Sequence, residues 1–264
     1  MSREGFPHSL PPLPVKSACR EIVGFLRRFT RASRPRCVLG LSGGLDSAVT
    51  AFLLVRSLER DAIKVVIMPY HAGNIEDALL VVEALGIDHV IMDIGPCIDT
   101  YYAQCPDADR FRKGNKMARE RMAVLYDIAA ERRAIVVGTG NRSEILLGYF
   151  TKYGDGGVDV EPLGGLYKTH VYELARYLKV PDSILTKPPS ADLWPGQRDD
   201  EELGVGYEEA DAILYSMIDR GKDRDELLHL GFDPGRVDRI IELVEYSQHK
   251  RCMPPIPDML GIFP

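Results

Sequence analysis

The stretch Cys37–Ser47, CVLGLSGGLDS, decides how this chain is read. Its first part, Cys37 to Leu41, is a short run dominated by apolar residues and suits a buried strand. Ser42, Gly43, Gly44, Leu45, Asp46 and Ser47 follow, and Ala48, Val49, Ala51, Phe52, Leu53 and Val55 then form an apolar helical run. Strand, glycine turn and helix in that order aim a helix N-terminus beyond a sheet edge. There the first backbone N–H groups lack intrahelical partners and the dipole end is positive. Glycine removes the Cβ atoms that would keep a phosphate from those groups. Ser42 and Ser47 add hydroxyl donors, and Asp46 is suited to hold magnesium between protein and polyphosphate. A tight βα turn with an Asp or Ser cap uses the same residues. The flanking serines and the preceding strand favour the anion-binding reading, although the GxxxxGK[ST] spacing and its lysine are absent.

Working outward, Val15 to Thr30 places Ala18, Ile22, Phe25, Leu26 and Phe29 at helical spacing with basic residues opposite. Ile63–Met68 reads as a second buried strand ended by Pro69, Asn74–Leu85 as a helix closed by Gly86, and Val90–Ile94 as a third strand. This alternation predicts an α/β fold, a doubly wound parallel sheet flanked by helices. Asp107–Arg133 is the longest helical run, with Ala118, Met122, Leu125 and Ala129 as its buried stripe. A fourth strand, Ala134–Val137, runs into Gly138, Thr139, Gly140 and Asn141. A parallel sheet puts this junction on the same edge as Ser42–Ser47, the edge where ligands bind. Phe150–Gly165, rich in glycine and charge, reads as a functional loop rather than core. Lys168–Leu178 reads as a helix, Thr186–Gly206 as a polar flap, and Tyr207–Gln248 as a helical C-terminal part.

Composition sets the bounds. A chain of 264 residues with 45% apolar and 27% charged residues suits one large domain, 15–264, behind a proline-stiffened tail, 1–14. A net charge of −6 argues against a general nucleic-acid partner. No apolar run reaches membrane-spanning length, and the N-terminus lacks an apolar signal core. The five cysteines form no CxxC pair, which disfavours structural zinc or a disulfide framework and fits a cytoplasmic protein.

Asp46 and Glu144 each follow a strand end by a few residues, so both can reach one magnesium ion above the sheet edge. Thr139, Lys168 and Ser190 are candidates for contacts to phosphate. Lys152, Asp155 and Asp159 stand in the glycine-rich loop, and Asn115 and Arg119 share a helix face one turn apart. Taken singly, a helix cap, a solvated lysine or a basic tail at His249, Lys250 and Arg251 would explain most of them.

Together they resemble the ammonia-dependent NAD synthetases, within the ATP pyrophosphatases that share the SGGxDS loop. The resemblance runs from about Val15 to Arg251 and is carried by LSGGLDS, GNKMARERMAVLY, GTGNRSEILLGYFTKYGDGG, PLGGLYKTHVYELA, KPPSADLWPGQRDDEELG and the terminal HKR. It implies ATP-dependent amidation of deamido-NAD with ammonia through an adenylated intermediate, in a homodimer. Gly40 to Ser47 (Gly40, Leu41, Ser42, Gly43, Gly44, Leu45, Asp46 and Ser47) with Thr139, Lys168 and Ser190 would bind ATP. Asp46, Lys168 and Ser190 would serve catalysis, and Asp46 with Glu144 would bind Mg2+. Asn115, Arg119, Tyr126, Lys152, Asp155, Asp159, His249 and Lys250 would hold deamido-NAD. Ser190 stands where many relatives have threonine, which keeps the hydroxyl. A tRNA-thiolating or GMP-forming pyrophosphatase is a rival, though paired cysteines and a basic RNA surface are missing. A non-catalytic adenine-nucleotide-binding module would not need Glu144, Lys168 and Ser190 together.

Overall fold

The computed structural model describes residues 10–258 apart from 72, 74, 191, 192 and 195. Four parallel strands, β1 (Cys37–Gly40), β2 (Ile63–Ile67), β3 (His89–Ile91) and β4 (Ile135–Val137), form a sheet in the order β3-β2-β1-β4. Helices α1 (Val15–Ala32), α2 (Leu45–Ser57), α3 (Glu76–Leu85), α4 (Gly95–Tyr102), α5 (Arg110–Arg132), α6 (Arg142–Leu147) and α7 (Lys168–Leu178) are interleaved with it. The C-terminal part holds α8 (Asp182–Leu185), α9 (Asp199–Leu203), α10 (Tyr207–Leu214), α11 (Arg224–His229) and α12 (Pro234–Tyr246).

Successive strand residues point to opposite faces, and both faces here are apolar, so two cores result. Cys37, Leu39, Ile63, Val65, Ile67, Ile135 and Val137 share a core with α1, α2, α3 and α7. Val38, Val66 and Val136 face the other way, onto Ile98 of α4 and Met117, Met122 and Leu125 of α5. A third cluster, through Leu147, Tyr207, Ile213, Leu227 and Ile240, belongs to the C-terminal helices. The helices covering both faces bear out the doubly wound reading, and the stripe Ala118, Met122, Leu125 and Ala129 is buried throughout.

Some local expectations need correction. The third strand is His89–Ile91 rather than Val90–Ile94, and beyond it Asp93 accepts from the N–H groups of His71 and Gly95 at 2.9 and 2.7 Å. Helix α4 is one that periodicity does not predict, although Pro96 at its start is a helix-opening signal. Phe150–Gly165 is not wholly outside the core: Val160 and Leu163 are buried in the first core. Val160 pairs alongside Val137, with Gly138 N–H donating to Val160 O at 2.8 Å, so the loop covers the outer edge of β4. The end of the supposed tail is docked: Leu13 N–H donates to Glu173 of α7 at 3.0 Å. Residues 1–9 and 259–264, Asn74 and part of the flap lie outside the described residues.

Candidate active site

The order β3-β2-β1-β4 reverses between β1 and β4: successive crossovers leave β1 on opposite sides. A doubly wound sheet opens a crevice at such a point, beyond the carboxyl ends of the two strands. The Ser42–Ser47 turn follows β1, and Gly138–Asn141 follows β4.

The first turn is tightly built. Gly43 has φ +86°, and a Cβ there would come within 3.0 Å of the Ala78 nitrogen on α3. Ser42 Oγ accepts from Gly44 N–H at 3.1 Å and lies 3.1 Å from Ser47 Oγ, while Ser47 Oγ donates to Gly44 O at 3.0 Å. The α2 N-cap is Gly44, which supplies no side-chain cap. An Asp or Ser cap is therefore not the use made of this turn, and the first N–H groups of α2 have no capping side chain. Leu41 and Leu45 are core residues, and a Cβ on Gly40 would meet Leu125 at 3.2 Å. Only the backbone of these three can serve a ligand.

The second junction meets the first through side chains. Asn141 caps α6 by accepting from Glu144 N–H at 3.0 Å, and Glu144 accepts in return from Asn141 N–H at 3.2 Å. This capping box fixes both side chains. Asn141 Nδ2 then donates to Asp46 Oδ1 at 3.0 Å. Lys168, at the start of α7 and 4% exposed, donates to Asp46 Oδ2 and to Glu144 Oε1. Three charged groups from three elements thus close on one point, with Lys168 the shared partner of Asp46 and Glu144. Lys168 is held there by its backbone N–H, which donates to Ser143 Oγ at 2.8 Å, and Ser143 is in turn fixed on the buried Asp211.

Burial governs the electrostatics. It pushes the Glu144 carboxyl up to about 7, with the charge of Asp46 adding to this and Lys168 pulling back. Burial also opposes the Lys168 ammonium, but the two carboxylates more than offset it and the lysine is raised above its ordinary range. Two further carboxylates converge on the site. Glu161 accepts from Gly140 N–H at 2.9 Å and is pushed up to about 8, first by burial and then by Asp155, Glu144 and Asp46. Asp199 is buried, accepts from Tyr207 O–H at 3.1 Å, and is raised by burial while Lys168 draws it down. Lys168 Nζ also sits 5.3 Å from the centre of the Tyr207 ring.

The remaining candidates form a second group. Thr151 Oγ1 donates to Asn115 Oδ1 at 2.8 Å, Arg119 donates to Lys152 O at 3.2 Å, and Thr151 N–H donates to Asp155 at 2.9 Å. Lys152 Nζ donates to His249 O at 2.7 Å, and Lys250 Nζ to the carbonyls of Gly148 and Phe150 at 2.7 and 2.8 Å. His249 and Lys250 are thus fastened to the start of the glycine-rich loop and the end of α6, while Arg251 donates to carbonyls of α6 and α12. Tyr126 and Asp159 stand apart near the start of β4, their side chains 3.1 Å apart. Tyr126 is exposed rather than packed in the core, and Asp159 also accepts from Val136 N–H at 2.7 Å. Thr139 is half-buried between β4 and α6, and Ser190 is exposed on the segment after α8.

Sequence reading missed Asn141 as a link and Glu161 and Asp199 altogether. Asn141-x-x-Glu144 is a readable capping pattern. Glu161 carries no such signal, because only the path of the loop beside Gly138 and Gly140 brings it to the crevice. Among the described residues no three or more Asp, Glu, His or Cys side chains form a metal-holding group. Asp46 and Glu144 are oxygen donors of the kind magnesium accepts, with waters filling its remaining positions.

A parallel α/β sheet with a glycine turn and a Lys–Asp–Glu cluster at its switch point is the architecture of the nucleotide-binding α/β proteins. The comparisons narrow the class. The family model "NAD synthase" matches residues 18–254. An NH3-dependent NAD+ synthetase of Fusobacterium nucleatum is 44% identical over 248 residues, covering 92% of this chain and 96% of that protein. One from Hyperthermus butylicus is 43% identical over 95% and 94% of the two chains. Among solved structures, the NMN synthetase of Francisella tularensis superposes with a TM-score of 0.81 at 36% identity, covering 93% and 99%. The NH3-dependent NAD synthetase of Campylobacter jejuni gives 0.81 at 30%, covering 93% and 100%. The chain belongs to the NAD synthase family.

Proposed function

We infer that this chain amidates deamido-NAD with ammonia at the expense of ATP, giving NAD, AMP and pyrophosphate. The observation that carries the reading is the Asp46–Lys168–Glu144 cluster beside the Ser42–Ser47 turn, in a chain matching the NAD synthase family along most of its length.

The chemistry follows from the substrate. A nicotinate carboxylate is a poor electrophile, so one of its oxygens first attacks the α-phosphorus of ATP and pyrophosphate departs. Ammonia then attacks the carbonyl of the adenylate, loses a proton, and AMP leaves. The turn's backbone N–H groups and serine hydroxyls cradle the pyrophosphate end of ATP, where negative charge develops. Thr139, Lys168 and Ser190 complete the ATP contacts. Asp46 and Glu144 would hold magnesium, which supplies Lewis-acid neutralisation of the phosphates. Asn115, Arg119, Tyr126, Lys152, Asp155, Asp159, His249 and Lys250 would position deamido-NAD, with the glycine-rich loop keeping water from the adenylate. No covalent enzyme nucleophile is required.

Free ammonia as donor is supported by the NH3-dependent relatives, which this chain matches nearly end to end. A glutamine-dependent NAD+ synthetase of Acinetobacter baumannii matches over only 48% of its own length. We place the enzyme in the cytoplasm as a homodimer with sites near the interface, as the family resemblance implies. No helix among the described residues is long and apolar enough to cross a membrane.

The test is an assay with ATP, magnesium, either ammonium or glutamine, and either deamido-NAD or its mononucleotide counterpart. The expected result is NAD and AMP in equal amounts with ammonium and deamido-NAD, lost in Asp46→Asn. Amidation of the mononucleotide alone would shift the reading toward the Francisella activity. ATP binding without amidation would refute the synthetase in favour of a nucleotide sensor.

A further inference from the structure

The segment after α8 carries a cation to the lip of the phosphate turn. Lys187 Nζ donates to Asp77 Oδ2, with the Lys187 side chain half exposed and that of Asp77 15% exposed. Asp77 belongs to the first turn of α3, and a Cβ on Gly43 would lie 3.1 Å from Asp77 Cβ. The Lys187 ammonium is therefore one side chain's reach from the turn itself, held by a single carboxylate that touches the turn.

Charge balance says what this cation is for. Lys168 already shares its single positive charge between Asp46 and Glu144, so alone it does not balance a polyphosphate as well. A polyphosphate entering the turn brings several negative charges and meets Asp77 as a like charge at close range. Lys187 is a compact charge on a flexible stem, half in solvent, so exchanging one anionic partner for another costs little reorganisation. A polyphosphate offers the ammonium more than one charge-assisted acceptor, where Asp77 offers a single carboxylate.

We propose that Lys187 is a further ATP-binding residue, which exchanges its partner Asp77 for the polyphosphate when ATP binds. This rests on the ATP-dependent reading of the site. The pair is thus an exchangeable one, distinct from a latch that merely fastens this segment to α3.

The two roles predict different results for the two partners. ATP with magnesium, inorganic pyrophosphate with magnesium, and adenosine are titrated calorimetrically into the full chain as wild type, Lys187→Ala, Lys187→Arg and Asp77→Asn. Transfer predicts that Lys187→Ala weakens ATP and pyrophosphate by tenfold or more, leaves adenosine unchanged, and is largely rescued by arginine. Asp77→Asn, which frees the lysine in advance, binds ATP as tightly as wild type or more tightly. Equal weakening of ATP by Lys187→Ala and Asp77→Asn would mark a latch and overturn the proposal. Wild-type affinity in Lys187→Ala would overturn it while leaving the ATP site standing. Failure of the wild type to bind ATP would overturn both.

Discussion

Removing the Lys168 ammonium tests whether Asp46 and Glu144 form a cation site. Lys168→Met keeps most of the stem but leaves two largely buried carboxylates facing each other without their shared cation. Taking one partner from a buried ion pair costs about 3–5 kcal/mol. Glu144 offers partial relief: its carboxyl already lies near 7, and losing the cation lifts it further, so it takes up a proton. That proton costs more as pH rises, by about 1.4 kcal/mol per unit. Wild type and variant both hold that proton below about pH 7, so the penalty should grow above it, by about 1.4 kcal/mol between pH 7 and 8. For a chain of this size each kcal/mol moves the melting temperature by about 2–4 °C, so the variant should melt roughly 3–6 °C further below wild type at pH 8 than at pH 6. Magnesium should then stabilise the variant more than the wild type, because it no longer competes with an ammonium. At ten times its dissociation constant it returns about 1.4 kcal/mol. Thermal melts by circular dichroism at pH 6 and 8, with MgCl2 or NaCl at matched ionic strength, read all three effects. A pH-independent loss, or recovery no greater with magnesium than with sodium, would refute the cluster as a magnesium site.

Other outcomes follow from the same geometry. Glu161 has a folded pKa near 8, against an ordinary value of 4.5, so between these pH values the native chain holds a proton that the unfolded chain has released. The stability this contributes is present below pH 4.5 and lost as pH rises to 8; Glu161→Gln should match wild type at the acid end and exceed it by up to about 5 kcal/mol at pH 8.5 in denaturant titrations without divalent cations. An unchanged pH profile would exclude burial of that carboxylate. Gly43→Ala meets both a φ of +86° and the Ala78 nitrogen at 3.0 Å. It should cost about 1–3 kcal/mol and weaken pyrophosphate binding more than adenosine binding; equal binding of both would remove the turn from the phosphate site.

Much of this protein is legible in residue order. The strand Cys37–Leu41, the glycine turn and the helix behind it are local events, set by apolar runs and by backbone freedom at Gly43. The alternation of strands and helices dictates a parallel sheet, since crossover helices leave no other pairing. Gly86 closes α3 in the left-handed conformation where the sequence placed it, and α7 starts and ends at the expected residues.

What the sequence left open was partnership. Lys168 in isolation reads as a surface lysine, yet it is buried because α7 starts where the ends of β1 and β4 converge. Glu161 and Val160 read as part of a polar loop, yet the unpaired outer edge of β4 needs covering, and that draws one into the core and the other into the crevice. Lys187 reads as one polar residue in a flap, and only the packing of α3 on the Gly43 turn gives it a partner at the phosphate lip. Periodicity and turn chemistry act over a few residues and so fix the elements. Burial and charge compensation act between residues as far apart as Asp46 and Lys168, so the tertiary structure alone decides which charges meet.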